Sequence, residues 1–268
     1  MIDLIIHYQF IRYALIAIIL ASIVCGIVGV ITVQKKLTMM AGGIAHSAYG
    51  GVGLGYLLGF EPLLGAMIFA CIAAVTIAYI KNFEKINTDV IISMFWSFGM
   101  ALGIIFISMM DGYPPDMQSY LFGNILTVSS FDLLLIVVLT IIVVGFFIIF
   151  FNDYKAYLFD EEYSQILGNN TKFLDNFLML LISLTIVVLI RVVGIMLVIA
   201  LLSIPAAIAS LFSKNLKNRM IIAIIIGIVV TILAVFISVY LDVATSAVII
   251  IFEIFIYLIL LIYTKIRS

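Results

Sequence analysis

Few side chains in this sequence have the chemistry to act on anything. Two of its 268 residues are histidine. One of them, His46, sits in "MAGGIAHSAYGGVGLGYLLG" (residues 40–59), a run that holds seven glycines and no Asp, Glu, Lys or Arg. The other isolated group is Glu253, in "IIIFEIFIYL". An imidazole nitrogen can ligate a transition metal or serve as a buried hydrogen-bonding group. A carboxyl in an apolar run faces a path, pairs with a polar group or is held protonated.

Neither group has the neighbours that make an enzyme. The sequence has no GxxxxGK[ST] loop, so it does not hydrolyse ATP by that route. It has no HExxH pair, and His7 and His46 are its only histidines. Cys25 and Cys71 lie in apolar runs and read as small packing residues rather than a disulfide or a metal pair. A Ser/His/Asp hydrolase needs a loop assembly that the short loops do not offer.

The elements that hold these groups are set by composition. Hydrophobic residues make up 66% of the chain and charged ones 10%, against roughly 25% charged in soluble domains. So much apolar surface needs lipid as its solvent. The net charge of −1 says nothing about nucleic acid, no basic stripe suggests it, and no nucleic-acid partner is expected. The N-terminus lacks the charged leader and small-residue cleavage site of a signal peptide, so residues 10–33 read as a retained span. Further runs of span length fall at about 41–59, 62–80, 89–110, 131–151, 175–192, 193–212, 219–241 and 244–264.

The sixth and seventh runs are continuous except for Arg191 and Gly194, and merging them reduces nine spans to eight. Basic residues favour nine, with the N-terminus outside. Lys35, Lys36, Lys81, Lys85, Lys155, Lys172, Lys214, Lys217, Arg219, Lys265 and Arg267, 11 of the 13, then share the cytoplasmic side. Arg191–Gly194 becomes a tight outer hairpin. The inner loop 152–174 contains "FDEEYSQILG"; Asp160, Glu161 and Glu162 suit a helix N-terminus and Gly168 its stop, predicting a short helix. The chain reads as one transmembrane domain over 1–268.

Glycine in such a helix permits close backbone approach. Gly51, Gly55 and Gly59 form one smooth stripe by two GxxxG spacings, and His46, Gly50 and Gly53 form another. The helix is therefore internal. Ser47, Tyr49 or a backbone carbonyl can satisfy His46, or the imidazole lines a transport path; the residues alone leave both open. In "VVGIMLVIALLSIPAAIASLFSKNLKNR" (192–219), Pro205 lacks an amide donor. The pattern predicts a span that breaks near Pro205 and emerges as a short helix at the inner face.

"MMAGGIAHSAYGGVGLGYLLG", "SYLFGNILTVSSFDL", "DEEYSQILG" and "IRVVGIMLVIALLSIPAAIASLFS" occur in that order. Over about residues 15–260 the chain resembles the permease subunit of the zinc/manganese-type metal ABC importers, the ABC-3 family. The resemblance implies an all-α polytopic helix bundle like the vitamin B12 and siderophore permeases. It implies a second copy of the chain, a cytoplasmic ABC ATPase subunit and an extracytoplasmic metal-binding protein as partners. It implies a divalent metal as transported substrate, with no resident cofactor, and alternating access driven by the separate ATPase. His46 becomes the metal contact, and Pro205, Ala206, Ala207, Ser210 and Phe212 the ATPase-docking segment. Glu253 is a second path candidate. Many members carry an Asp four residues before the histidine, where this chain has Gly42. The outer acids Asp3, Glu61, Asp111, Asp116 and Asp242 attract cations, pair with the delivery protein or are solvated loop charge. The rival readings are ferrous iron or a metal chelate as cargo, an ATP-independent secondary carrier, and a lipid-modifying enzyme.

Overall fold

A computed structural model describes residues 9–81, 87–110, 118–123, 128–241 and 243–267. His7 and the acids Asp3, Asp111, Asp116 and Asp242 lie outside the described residues. The chain is nearly all helix: α1 (Gln9–Gln34), α2 (Thr38–Leu58), α3 (Pro62–Lys81), α4 (Thr88–Ser108), α5 (Gln118–Phe122), α6 (Ser130–Ile149), α7 (Phe151–Phe159), α8 (Glu161–Ile166), α9 (Thr171–Val193), α10 (Ile195–Phe212), α11 (Leu216–Leu241) and α12 (Thr245–Arg267).

Eight of these are long and apolar enough to cross a membrane. The ninth long helix among the described residues is α2, with 21 residues. Its glycines, Ser47 and His46 dilute its hydropathy, and it lies inside the bundle instead, with every residue from Met40 to Gly53 buried. The apolar stretch at 175–212 divides at Gly194, whose φ of 81° is open to glycine and strained for other residues. The two halves run in opposite directions.

Contacts at the two ends of the bundle fix that alternation. At one end Tyr13 of α1 meets Ser130 of α6, and Arg191 at the end of α9 meets Glu61 before α3. At the other, Lys35 after α1 meets Glu161, and Arg219 of α11 reaches Gln34 of α1. Helix starts are secured by side chains that accept orphan amides. Asn87 accepts from Asp89, Ser129 and Asp132 make a reciprocal capping box, and Asn170 accepts from Phe173.

The expected break at Pro205 does not occur. Helix α10 is continuous from Ile195 to Phe212 with Pro205 inside it. Proline removes one amide donor, but α10 is gripped by α1, α11 and α12 along its length, and buried packing outweighs one missing bond. Pro205 and Ala206 are buried rather than displayed at the inner face. The helix stops at Ser213, just before the basic turn.

Candidate functional site

The glycine stripes of α2 face different neighbours. Gly50 and Gly53 lie against the backbone of Gly99 and Gly103 on α4, and Gly51 and Gly55 against Gly65 and Pro62 at α3. A side chain at any of these four would collide with backbone, so α2 sits between α3 and α4 at distances only glycine allows. Gly59 is a correction to the packing stripe. With φ 74° it is the left-handed cap that ends α2, and nothing lies within 4 Å of the space a Cβ would fill.

His46 projects from the α4-facing side of α2 and is 7% exposed. Its ring stacks on Trp96, centroids 4.0 Å apart and planes 13° from parallel. Ser47 does not satisfy it. That hydroxyl is committed to the carbonyls of Gly43 at 2.8 Å and Phe95 at 3.0 Å, tying α2 to α4. His46 Nδ1 has no hydrogen-bond partner. One turn before it, a Cβ on Gly42 would come 3.0 Å from the Trp96 ring. The glycine leaves room for the indole that holds the imidazole flat.

Beyond the C-terminal end of α2, Arg191 bridges two acids. Its Nη1 donates to Glu61 Oε1 at 2.6 Å, and its Nε lies 2.8 Å from Asp132 Oδ1. The second contact is a close ion pair without the alignment of a hydrogen bond, because Asp132 is turned to the Ser129 amide and hydroxyl through Oδ2. Glu61 is thus an ion-pair member that pins α3 and α6 to α9. Nearby the Tyr56 and Tyr120 hydroxyls are 3.2 Å apart. Burial, then the Tyr56 bond, raises the Tyr120 phenol above its ordinary value.

At the opposite end α7 and α8 form a small outlying unit. Tyr154 donates to the Leu174 carbonyl at 2.6 Å and Tyr157 to Asp175 at 2.8 Å, anchoring α7 on α9. Burial first, and the Asp175 charge second, raises both phenols, so they stay neutral donors. Asp160 caps α8 through the Tyr163 amide, and Gly168 turns the chain with φ 87°, as the sequence predicts. The apolar surface of this unit was not anticipated: Phe159 is 88% exposed and Ile166 82%, beside exposed Leu167 and Tyr163. A cleft of about 480 Å³ opens beside it, lined by Lys155, Phe159, Tyr163, Lys214 and Asn215 among others. The signal in the sequence was a phenylalanine and an isoleucine flanking a helix too short and too acidic to span.

The other predicted residues are dispersed. Glu253 lies on α12, which packs on α10 and α11, while His46 is held among α2, α3 and α4. Within one chain the two do not share a site. Of the expected docking segment, Pro205 and Ala206 are covered, Ala207 is partly covered, and Ser210 and Phe212 are exposed at the tip of α10. Among the described residues no group of three or more His, Cys, Asp and Glu could hold a metal ion. Cys25 and Cys71 are both free.

A family model for the ABC 3 transport family matches residues 7–264. Over 217 residues the chain is 33% identical to a "Manganese transport system membrane protein MntC" of Listeria monocytogenes, covering 81% of this chain and 77% of that one. It is 30% identical over 260 residues to the "Chelated iron transport system membrane protein YfeD" of Yersinia pestis, covering 97% and 87%. The solved structure "PsaBC from Streptococcus pneumoniae in complex with Fab" matches with a TM-score of 0.87 at 31% identity, over 100% of this chain and 98% of that one.

Proposed function

This chain belongs to the ABC 3 transport family, and on that premise we propose that it carries manganese inward, with His46 as the contact that the ion meets inside the bundle. The chain is the multi-pass membrane permease subunit of a metal ABC importer. The observation that carries the cargo reading is the His46 imidazole, buried, held flat against Trp96, with Nδ1 unused by the protein. A neutral imidazole nitrogen is a metal donor. One such donor per chain binds loosely, which suits a permease because the ion must leave as readily as it enters. Two copies related by a twofold axis supply two imidazoles to one path.

The end bearing Lys35, Lys155, Lys172, Lys214, Lys217 and Arg219 is the cytoplasmic one. The N-terminus then lies outside and the C-terminus inside, and the Glu61–Arg191–Asp132 end receives the metal-binding protein. The separate ABC ATPase docks on the inner surface. The exposed apolar side chains of α7 and α8, with the tip of α10 at Ser210 and Phe212, are the surface it grips, in place of the buried stretch around Pro205. ATP hydrolysis belongs to that subunit, and the stroke alternates access to His46. The likeness to a relative named for chelated iron supports iron as the second cargo.

The test is uptake of radioactive manganese into vesicles holding the chain with its ATPase and binding protein. Uptake requires all three and is lost in His46→Ala. Trp96, the only tryptophan, is quenched by paramagnetic Mn²⁺ at His46 and not in the variant. Undiminished uptake by His46→Ala overturns the cargo site, and uphill uptake without the ATPase overturns the importer reading.

A further inference from the structure

Helices α3 and α9 pack together but leave a groove of about 360 Å³ between them. Its floor is buried Ala74, Ala78 and Met179, and its rims are exposed Val75 and Leu180. The lining changes along its length. At one end Cys71 and Ser183 face each other at 4.0 Å; at the other stand Tyr79 and Asn176. Glu61, before α3, meets Arg191, late in α9, so Lys81 and Thr171 share the opposite end of the bundle. Cys71 is the tenth of the 20 residues of α3, and Tyr79 lies two residues from its last. Ser183 is near the middle of α9.

That placement matches one leaflet. At a rise of 1.5 Å per residue, Cys71 to Tyr79 covers about 12 Å, against roughly 15 Å for half of a hydrocarbon core. The groove starts at the middle of the membrane and ends near its surface. It opens sideways, between Val75 and Leu180, to acyl chains. An empty groove leaves its alanine floor without facing atoms, and a chain from the same leaflet has the shape to fill it. Apolar fit selects no particular lipid, because every lipid brings chains. The head-group end does select. Lys172 is exposed one turn before Asn176, on the same stripe of α9 as Leu180, and α3 ends at Lys81. The acid beside Asn176, Asp175, accepts from Tyr157 of α7. The Asn176 amide offers two N–H donors and the Lys172 ammonium three with a charge; a phosphate accepts from both, and basic pockets between spans at the membrane surface suit anionic head groups.

We propose that this groove is a binding site for one anionic phospholipid: an acyl chain lies between α3 and α9, and Lys172 and Asn176 hold the phosphate. The lipid belongs to the leaflet at the Lys172 end, the cytoplasmic one in the reading above. The site shares no residue with His46, which lies on the α4-facing side of α2, so it stands or falls apart from the cargo. The bound chain completes the α3–α9 seam where its floor is alanine, and the head group ties that seam to one class of lipid. A lysine near an anionic head group is worth about a fivefold preference.

Photoreactive phosphatidylglycerol and phosphatidylcholine, each with a diazirine on the acyl chain, test this on the full chain in nanodiscs holding equal parts of the two lipids. Phosphatidylglycerol labels residues 71–79 and 176–183 about fivefold more than phosphatidylcholine does, and unlabelled phosphatidylglycerol displaces it. Lys172→Gln removes that preference, Lys172→Arg keeps it and Asn176→Leu weakens it; both positions are exposed. Val75→Trp fills the mouth of the groove and reduces labelling by both lipids. The exposed face of α4 at Met94 and Phe98 is the control and shows no preference. Equal labelling of the groove by the two lipids, or a preference that survives Lys172→Gln combined with Asn176→Leu, overturns the proposal. So does a groove that takes no label because a second copy of the chain covers it.

Discussion

Replacing Gly53 with alanine puts one methyl group into the seam between α2 and α4. That methyl would lie 2.7 Å from the Gly103 carbonyl oxygen and 2.9 Å from its Cα, where ordinary contact begins at 3.4 Å. Both are backbone atoms on a helix and have no rotamer to change. The helices must therefore separate by roughly 0.7 Å, a gap that forfeits a quarter to a half of the attraction between facing atoms. Overpacking of this kind costs about 1–3 kcal/mol, and the better helix propensity of alanine returns about 1 kcal/mol. The net loss is up to about 2 kcal/mol. Two turns earlier along the same seam, His46 stacks on Trp96 at 4.0 Å, so the separation also loosens that stack. Gly145→Ala on α6 is the control, because nothing lies within 4 Å of its missing side chain. It gains up to about 1 kcal/mol from propensity. Thermal denaturation in nanodiscs measures both variants, and the emission of Trp96 reports the stack. Should Gly53→Ala match Gly145→Ala in stability, with Trp96 emission unchanged, the claim that glycine sets this helix spacing is wrong.

Arg191→Met strands the buried Asp132 and the half-exposed Glu61. A fully buried pair costs about 3–5 kcal/mol to break; solvent reaches this one, so about 1–3 kcal/mol is expected in chemical denaturation. Adding Asp132→Asn should recover part of it, and no recovery would remove the ion pair as the cause. Gly194→Val imposes a left-handed φ on a branched residue and meets the Phe122–Gly123 backbone. The conformation alone costs about 1–3 kcal/mol, and reduced stability together with reduced uptake is the expected result. Ile166→Asp with Phe159→Asp should cut recovery of the ATPase in co-purification at least about tenfold, a loss of 1.4 kcal/mol or more, while Pro205→Ala leaves it unchanged. Equal recovery with the paired variant would move the docking surface elsewhere.

Much of the fold was legible because lipid imposes a simple rule: a span is a long apolar run. The run boundaries at 10–33 and 219–241 fall within a few residues of α1 and α11. The division at Gly194 was legible through the lysines and arginines, which sorted onto one end only when the sixth and seventh runs were separate. The short helix after Asp160 was legible as cap, acids and glycine stop. Pro205 misled because its local cost is visible in sequence, whereas the grip of three neighbouring helices is not. Gly59 misled for the related reason that a GxxxG spacing continues past a helix end, and spacing does not reveal where φ turns positive.

The sequence alone determined that this is a many-helix membrane protein, that α2 is internal, and that His46 and Glu253 are its anomalous groups. Those conclusions rest on transfer from water to lipid and on helical periodicity, both properties of neighbours along the chain. Only the tertiary structure decided what each group touches. It put Trp96 flat against His46 from 50 residues away and turned Arg191 and Glu61 into an ion pair. Side-chain partners across helices depend on the rotation and register of each packed pair, and the seams of small residues that set these are read only when both faces are present.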